Sequence, residues 1–237
     1  MSRPRAMVLA APGTNRDHDV AFALELASAD PQITLLEELI AEPSVLLRDT
    51  QLLVLAGGFS YADALGAGRM WALAATDRLG DVLTRFVALG RPVIGICNGF
   101  QVLTRAGLLP GALGHNDSGH FQCEWVRLAV PASKSIWTTG LEPIECPIAH
   151  GEGRYVHPDV AALAADGQVA LTYEGGNPNG SAAGIAGVCD ESGVVLGLMP
   201  HPENHVIARQ HPRHGRGTAA GLGLGLFQRG VEYAGGL

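Results

Sequence analysis

Val93-Ile94-Gly95-Ile96-Cys97-Asn98-Gly99-Phe100-Gln101 joins a short apolar run to a helical pattern that begins at about Phe100. The run is typical of a buried β-strand. Gly-x-Cys-x-Gly between a strand and a helix is the layout of a nucleophile elbow. Gly95 and Gly99 permit close packing of the backbone, and Cys97 then occupies a strained turn that presents its side chain. The segment predicts attack by a cysteine thiolate on a carbonyl group.

The first half of the chain alternates short apolar runs with helical patterns, which indicates a parallel sheet covered on both faces. Ligand sites in such sheets form at the carboxyl ends of the strands. The turn at Gly57-Gly58-Phe59 and the Cys97 turn both follow strands, so we expect them to share one crevice. The predicted strands are Ala6–Ala10, Ile33–Leu36, Leu52–Ala56 and the run from Val93, and the predicted helices are Asp17–Ala29, with Asp17 as N-cap, and Trp71–Leu89.

The second half changes to strand patterns with few helices. The turn Asp190-Glu191-Ser192-Gly193 lies between two apolar runs and predicts a hairpin. We see neither a repeat nor a linker, so residues 1–237 are predicted to form a single mixed α/β domain. The remaining predicted elements are strands at Phe121–Val130, Glu145–Ala149, Gln168–Tyr173, Ile185–Cys189 and Val194–Met199, and a weak helix at Gly221–Tyr233.

Composition narrows the class of protein. Apolar residues make up 47% and charged residues 16% of the 237 residues, which is typical of a globular chain with an ample core. The net charge of −7 argues against nucleic-acid binding, and the basic segment 211–216 is interpreted as a solvated loop. No apolar run approaches the ~20 residues that span a bilayer. The four cysteines lack CxxC spacing, so we expect free thiols, no metal and a cytoplasmic location.

A thiolate nucleophile needs a base and a group that orients the base. Among nine histidines, His201 stands out because an apolar strand ends just before Pro200-His201-Pro202-Glu203. Pro202 disfavours a helical conformation at His201. Glu203 can bond the far ring nitrogen if the chain stays extended. A surface His-Pro turn is equally compatible with this segment alone, and the other three cysteines are interpreted as structural.

The two motifs together resemble those of class I, triad-type glutamine amidotransferases. More narrowly, the chain resembles the glutaminase components of phosphoribosylformylglycinamidine synthase. The matching segments run in family order over nearly the whole chain: Pro12–Asn15, Gly57–Asp63, Gly95–Gln101, Asn116–Phe121, Ala149–Gly153, Asn177–Ser181 and Pro200–Glu203. The elbow and His-Pro-Glu indicate the broad class, whereas the Gly-Gly-Phe-Ser-Tyr, His-Gly-Glu-Gly and Asn-Pro-Asn-Gly-Ser segments indicate this synthase.

The resemblance implies a flavodoxin-like, three-layer α/β/α fold with a mainly parallel central sheet and a smaller antiparallel portion. It also implies a catalytic triad in which Cys97 attacks the side-chain amide of L-glutamine, His201 shuttles protons and Glu203 orients His201. The implied substrate-binding residues are Gly58 and Asn98, whose N–H groups would form the oxyanion hole, together with Gln101 and Phe121.

The resemblance further implies the partners. A γ-glutamyl thioester on Cys97 is hydrolysed to glutamate, and the ammonia passes to a separate synthetase subunit. That subunit uses ATP and Mg to convert formylglycinamide ribonucleotide to the amidine in purine biosynthesis. A small accessory subunit belongs to the same complex. No cofactor is implied in this chain, and neither a nucleic acid nor a membrane is an implied partner.

Some segments are ambiguous or depart from the family pattern. The loop from His150 to Tyr155 is expected near the active-site mouth and the synthetase interface, and Asn177–Ser181 is interpreted as an Asx/Pro turn. Arg16 stands where a cysteine often occurs, His120 replaces an arginine, and the basic segment 211–217 is unusually long. These departures do not touch the proposed triad.

Three alternatives stay open on sequence alone. The chain could serve a different synthetase as a triad amidotransferase, or it could be a cysteine hydrolase of similar α/β build. It could also be a non-catalytic scaffold subunit, although Cys97, His201 and Glu203 are all present.

Overall fold

The computed structural model of the chain describes residues 3–216 and 221–237. Its strands are β1 (Arg5–Ala10), β2 (Asp30–Leu35), β3 (Leu52–Leu55), β4 (Val93–Ile96), β5 (Ala112–Gly114), β6 (Gln122–Ala129), β7 (Ile144–His150), β8 (Arg154–Val156), β9 (Val169–Glu174), β10 (Ile185–Cys189) and β11 (Val195–Leu198). Its α-helices are α1 (Asp17–Leu26), α2 (Leu36–Ala41), α3 (Ser44–Asp49), α4 (Arg69–Ala88), α5 (Asn98–Arg105), α6 (Val160–Ala165) and α7 (Leu224–Gly235).

One large sheet organises the described part of the chain. Its nine strands have the order β2-β1-β3-β4-β11-β10-β9-β6-β7. The first five are parallel to one another, and the other four continue the sheet in antiparallel pairs. Strands β5 and β8 form a separate antiparallel pair. The predicted mainly parallel sheet with a smaller antiparallel portion is confirmed.

Helices cover both faces of the parallel half. The β1–α1–β2 and β3–α4–β4 connections move in opposite directions along the sheet. Because such crossovers are right-handed, α1 and α4 lie on opposite faces. Helix α7 packs beside α1, and α3 and α5 pack beside α4. This arrangement confirms three α/β/α layers, and β3, β4 and β11 are fully buried between them, as their apolar sequences predict.

The antiparallel half bends back over the carboxyl end of the parallel half. Edge strand β7 contacts the short 3₁₀ turn Pro202–His205 that follows β11. The main-chain N–H of His201 donates to the carbonyl of Pro147 in β7 at 2.9 Å. The edge strand is therefore covered by the chain's own backbone, and β7 is brought close to the elbow.

The boundaries of several predicted elements were wrong. Asp17 is the first residue of α1 rather than its N-cap, and the cap residue Arg16 makes no side-chain capping bond. Helix α1 ends at Leu26, since Ser28 takes a left-handed φ of 71°. Strand β2 begins at Asp30, because pairing with β1 extends it, and Leu36 already belongs to α2. Helix α7 begins at Leu224. The remaining predicted strands and α4 match within two residues.

The basic segment is exposed from Pro212 to Arg216, as a solvated loop would be, but its first residue is buried. His211 is buried, and its ring lies 4.4 Å from the ring of Trp125 between centroids. Arg213 donates to Glu145 Oε1 at 2.6 Å, and the same oxygen lies 3.5 Å from His211 Nε2. The segment is therefore anchored to β6 and β7, while Gly217 lies outside the described residues.

No helix in residues 3–216 and 221–237 is both long and apolar enough to cross a membrane.

Two glycines fix the strand-to-helix elbow. A Cβ at Gly99 would overlap the main-chain carbonyl oxygen of Leu55 in β3, and a Cβ at Gly95 would lie 2.6 Å from the Gly99 carbonyl. Helix α5 therefore rests directly on the sheet backbone. The elbow geometry depends on the absence of side chains at both positions.

We predict that Gly99→Ala lowers the free energy of unfolding by about 1–3 kcal/mol, because the rigid backbone of β3 cannot yield to a methyl group. Gly80→Ala is the matched control, since Gly80 lies within α4 and a Cβ there meets nothing within 4 Å. It should raise stability by ~1 kcal/mol. Urea unfolding of both variants measures this, and equal effects would contradict the packing argument.

Candidate active site

All the predicted catalytic and substrate-binding residues except Glu203 line one cavity. The carboxyl ends of β3, β4 and β11 bring Gly58, Cys97 and His201 together, as predicted for a shared crevice. The cavity has a volume of about 260 Å³, near the lower end of the ~300–1,000 Å³ typical of small-molecule sites. The other predicted substrate-binding residues also line it: Asn98, Gln101 and Phe121.

Cys97 occupies the strained turn that the sequence predicts. Its backbone has φ 50° and ψ −103°, a region that non-glycine residues rarely adopt. Its N–H donates to the Leu198 carbonyl of β11 at 2.8 Å, which ties the elbow to the neighbouring strand. Its sulfur lies 4.0 Å from the Ala149 carbonyl oxygen of β7. The thiol is thus held between the two halves of the sheet.

His201 and Glu203 form a buried pair. The Nδ1–H of His201 donates to Glu203 Oε1 at 2.6 Å, and Glu203 is fully buried. We had made this bond conditional on an extended chain, but it forms without one. Pro202 begins a 3₁₀ turn, and this turn brings the carboxylate back beneath the ring. His201 itself is non-helical, at φ −107° and ψ 86°.

The environment of His201 favours its charged form. Burial lowers the pKa of His201, but the carboxylate of Glu203 and the sulfur of Cys97 outweigh burial and raise this pKa to about 10. Because Nδ1 bonds Glu203, Nε2 is the ring nitrogen left for the neighbouring Cys97. An imidazolium therefore lies beside the sulfur.

The other cysteines lack such surroundings, which fits their interpretation as structural residues. Burial raises the pKa of the Cys146 thiol well above its ordinary value, and the nearby carboxylates Glu203 and Glu145 raise it further. Burial likewise raises the pKa of Cys189 to about 11. Cys123 is exposed on β6. We therefore single out Cys97 as the thiol that pairs with a histidine.

Two residues were predicted to supply the backbone amides of an oxyanion hole, Gly58 and Asn98. Asn98 is the first residue of α5, and an amide at that position has no acceptor within its own helix. Gly58 has φ 128°, and a Cβ there would lie 2.6 Å from the Asn15 nitrogen. Only glycine allows the chain to pass this closely at that angle. Both residues line the cavity beside Cys97.

The side chains of Asn98 and Gln101 brace the cavity wall. Asn98 Nδ2 donates to Gln101 Oε1 at 2.9 Å and to Asp63 Oδ1 at 3.2 Å, and Asn98 Oδ1 accepts a hydrogen bond from Ser60. Gln101 Nε2 donates to the Glu152 carbonyl at 2.6 Å. The Gln101 amide is therefore engaged by the protein itself, although its side chain lines the cavity.

Aromatic rings form the outer wall of the cavity. Phe121 is 51% exposed and stacks on Phe59 with centroids 6.1 Å apart. His120, which replaces the arginine of the family pattern, is exposed and lines the same side. Arg16 lines the opening too and pairs with Asp19 at 3.1 Å. The mouth thus combines an apolar wall with a basic side chain.

A buried network behind the cavity was missed by sequence reasoning. Asn179 closes the predicted Asx turn, because its Oδ1 accepts from the Ser181 N–H at 3.1 Å. Asn179 is fully buried and also donates to the Gly153 carbonyl at 2.7 Å. Asn116 accepts from the Gly153 N–H at 3.0 Å. These amides fix the loop after β7, and nothing in a run of turn-forming residues indicates that role.

Within residues 3–216 and 221–237, no group of three or more histidine, cysteine, aspartate or glutamate side chains is arranged to hold a metal ion.

Comparison with known proteins supports the interpretation of this site. A family model described as a CobB/CobQ-like glutamine amidotransferase domain matches residues 3–234. The chain belongs to this glutamine amidotransferase family.

Three curated relatives of the chain have the same name. Phosphoribosylformylglycinamidine synthase subunit PurQ of Treponema denticola is 43% identical over 98% of this chain and 99% of its own length. The same subunit of Dehalococcoides mccartyi is 39% identical, covering 99% of each chain. That of Frankia casuarinae is 46% identical over 86% of each chain.

Solved structures agree with this relationship. A chain of PurLQS from Thermotoga maritima superposes with a TM-score of 0.81 at 39% identity, covering 98% of this chain and 99% of that chain. A second glutamine amidotransferase from Thermotoga maritima, at 17% identity, gives a TM-score of 0.64. This second likeness shows the glutamine amidotransferase fold alone.

We predict that Glu203→Gln lowers the pH at which His201 loses its proton, because a neutral amide does not stabilise the imidazolium. A histidine with a raised folded pKa stabilises the fold below its unfolded pKa of ~6.5. That contribution is lost as the pH rises through about 10. The stability difference between wild type and variant should therefore be largest at acidic to neutral pH and shrink towards pH 10.

NMR titration of the histidine ring and urea unfolding across this pH range measure both effects. Glu191→Gln is the matched control, because Glu191 is exposed in the turn at the opposite end of β11. An unchanged His201 titration in Glu203→Gln would contradict the proposed charge pairing.

Proposed function

We propose that this chain is the glutaminase subunit of phosphoribosylformylglycinamidine synthase and that Cys97, His201 and Glu203 are its catalytic triad. The observation that carries the proposal is the buried Glu203–His201 pair beside a sulfur on a strained elbow. Full-length similarity to PurQ subunits selects this synthase over other amidotransferases and over a general cysteine hydrolase. The complete triad argues against a non-catalytic scaffold.

The first half-reaction forms a thioester. The Cys97 sulfur attacks the side-chain carbonyl carbon of L-glutamine, and the carbonyl oxygen becomes an oxyanion that accepts from the amides of Gly58 and Asn98. His201 Nε2 donates its proton to the amide nitrogen. The C–N bond then breaks, ammonia leaves, and a γ-glutamyl thioester remains on the sulfur.

The second half-reaction regenerates the enzyme. Neutral His201 accepts a proton from water as the water oxygen attacks the thioester carbon. The same two amides hold the second oxyanion. The C–S bond breaks, glutamate leaves, and the sulfur recovers its electron pair beside the imidazolium. Glu203 keeps the ring in one orientation and stabilises its charge through both steps.

Gln101 and Phe121 hold the glutamine. Phe121 and its stacking partner Phe59 cover the aliphatic part of the substrate, since they form the apolar wall. Gln101 acts by bracing, because its amide joins Asn98 to the loop at Glu152.

The ammonia passes to an ATP-dependent synthetase subunit, which converts formylglycinamide ribonucleotide to formylglycinamidine ribonucleotide. A small accessory subunit completes the complex, and the likeness to a PurLQS chain supports this assembly. ATP and Mg act in the synthetase, and this chain has no cofactor of its own because its side chains supply every step. Residues 1–237 form a single glutamine amidotransferase domain, which one family match over residues 3–234 supports. We assign the chain to the cytoplasm, where purine biosynthesis takes place.

We predict that Cys97→Ser abolishes glutamine-dependent synthesis by the complex by at least about 10³-fold, while ammonia-dependent synthesis survives. The reason is that ammonia bypasses the thioester. Cys123→Ser is the matched control, because Cys123 is exposed on β6, and it should keep both activities.

A glutamine-analogue diazoketone followed by peptide mapping identifies the nucleophile independently. The label should appear on Cys97 and be absent from Cys97→Ser. Labelling at another cysteine, or normal glutamine turnover by Cys97→Ser, would refute the assignment.

A further inference from the structure

His150 is a buried polar group in the cavity wall that the mechanism does not use. It is the last residue of β7, is 3% exposed and lines the cavity with Cys97 and His201. Its Nε2 has no hydrogen-bond partner among the described residues. A buried nitrogen without a partner loses its hydration, which makes the position costly unless a ligand completes it.

The neighbouring amide fixes which nitrogen of His150 carries the proton. Asn116 Nδ2 donates to the carbonyls of His120 and His150, both at 2.9 Å, so Asn116 Oδ1 must point towards the ring. That oxygen lies 3.1 Å from His150 Nδ1. Because an amide oxygen only accepts, Nδ1 carries the proton and Nε2 presents a lone pair.

The ring is held neutral and in place. Burial lowers the pKa of His150 to about 4, and the neighbouring charge of His201 lowers it further. A Cβ at Gly153 would overlap the ring, so the ring rests flat against that backbone. His150 is therefore a neutral residue at neutral pH, and its Nε2 is a fixed hydrogen-bond acceptor.

We propose that His150 Nε2 accepts a hydrogen bond from an N–H group of bound glutamine and so positions the substrate. This inference rests on the proposed glutaminase function. Glutamine has two kinds of N–H donor, the side-chain carboxamide and the α-ammonium group. His150 directly follows Ala149, whose carbonyl oxygen lies 4.0 Å from the Cys97 sulfur. This position favours the carboxamide, which Cys97 attacks and whose nitrogen receives the proton of His201. One histidine then accepts from that nitrogen while the other protonates it.

Two variants test whether the effect of His150 comes from the lone pair on Nε2 or from the shape of the side chain. His150→Asn keeps a group that can bond Asn116 but removes the atom at the Nε2 position. His150→Gln can place an amide oxygen near that position. Both are assayed within the synthetase complex with L-glutamine and with L-glutamate γ-methyl ester, which has the α-ammonium group but no side-chain N–H.

We predict that His150→Asn lowers kcat/KM for glutamine by about 10- to 100-fold, the usual cost of leaving a buried polar group unpaired. With the methyl ester the loss should be under threefold, and His150→Gln should recover most of the activity with glutamine. A loss on both substrates that His150→Gln recovers would identify the α-ammonium group as the donor. Unfolding midpoints confirm that the variants are folded.

Two results would overturn the proposal: an unchanged kcat/KM for glutamine in His150→Asn, or equal losses on both substrates without recovery in His150→Gln. Failure of the proposed function is distinguishable, because the wild-type complex would then release neither ammonia from glutamine nor methanol from the ester.

Discussion

The close approach of Cys97 and His201 depends on the bare backbone of Gly57. A Cβ at Gly57 would lie 2.9 Å from His201 Cε1 and 3.3 Å from Cys97 Cβ. A side chain there would push the two groups apart. Gly99 likewise rests on the backbone of β3. The site therefore depends on glycines, which have no side chain, near the ends of the strands that form it. The precision of the pair follows from backbone packing, which is stiffer than side-chain packing.

The buried carboxylate of Glu203 is compensated by the charge of His201, and burying this pair lowers the stability of the fold. Glu203 is fully buried, and its Oε2 has no partner among the described residues, so the carboxylate depends on His201 for most of its compensation. Cys97 adds a strained backbone. Such features lower stability and persist only where the surroundings enforce them. Here the fully buried strands β3, β4 and β11 provide that enforcement.

The sequence predicted those elements whose residues are neighbours along the chain. The elbow was predictable because Gly95 and Gly99 flank Cys97 between a strand and a helix, and the parallel sheet was predictable from its apolar strands. The turn that carries Glu203 beneath His201 was not, because a 3₁₀ turn after proline has no distinctive pattern. Helices α2 and α3 were not predicted either, because six residues are too few to show the spacing of apolar residues typical of a helix. Strands β5 and β8 were not predicted because each is defined only by pairing with the other.

The two halves of the sheet contribute different kinds of residue to the site. The parallel half supplies Cys97 and His201, whereas the antiparallel half supplies Phe121 before β6 and His150 at the end of β7. These two ends are adjacent, because Gln122 pairs with His150 across the ladder. The hydrogen bond from His201 to Pro147 joins the halves. Substrate contacts can therefore vary on the antiparallel half without disturbing the pair on the parallel half. The departure at His120, just before β6, is of this kind, whereas Arg16 lies in the parallel half but also at the mouth of the cavity.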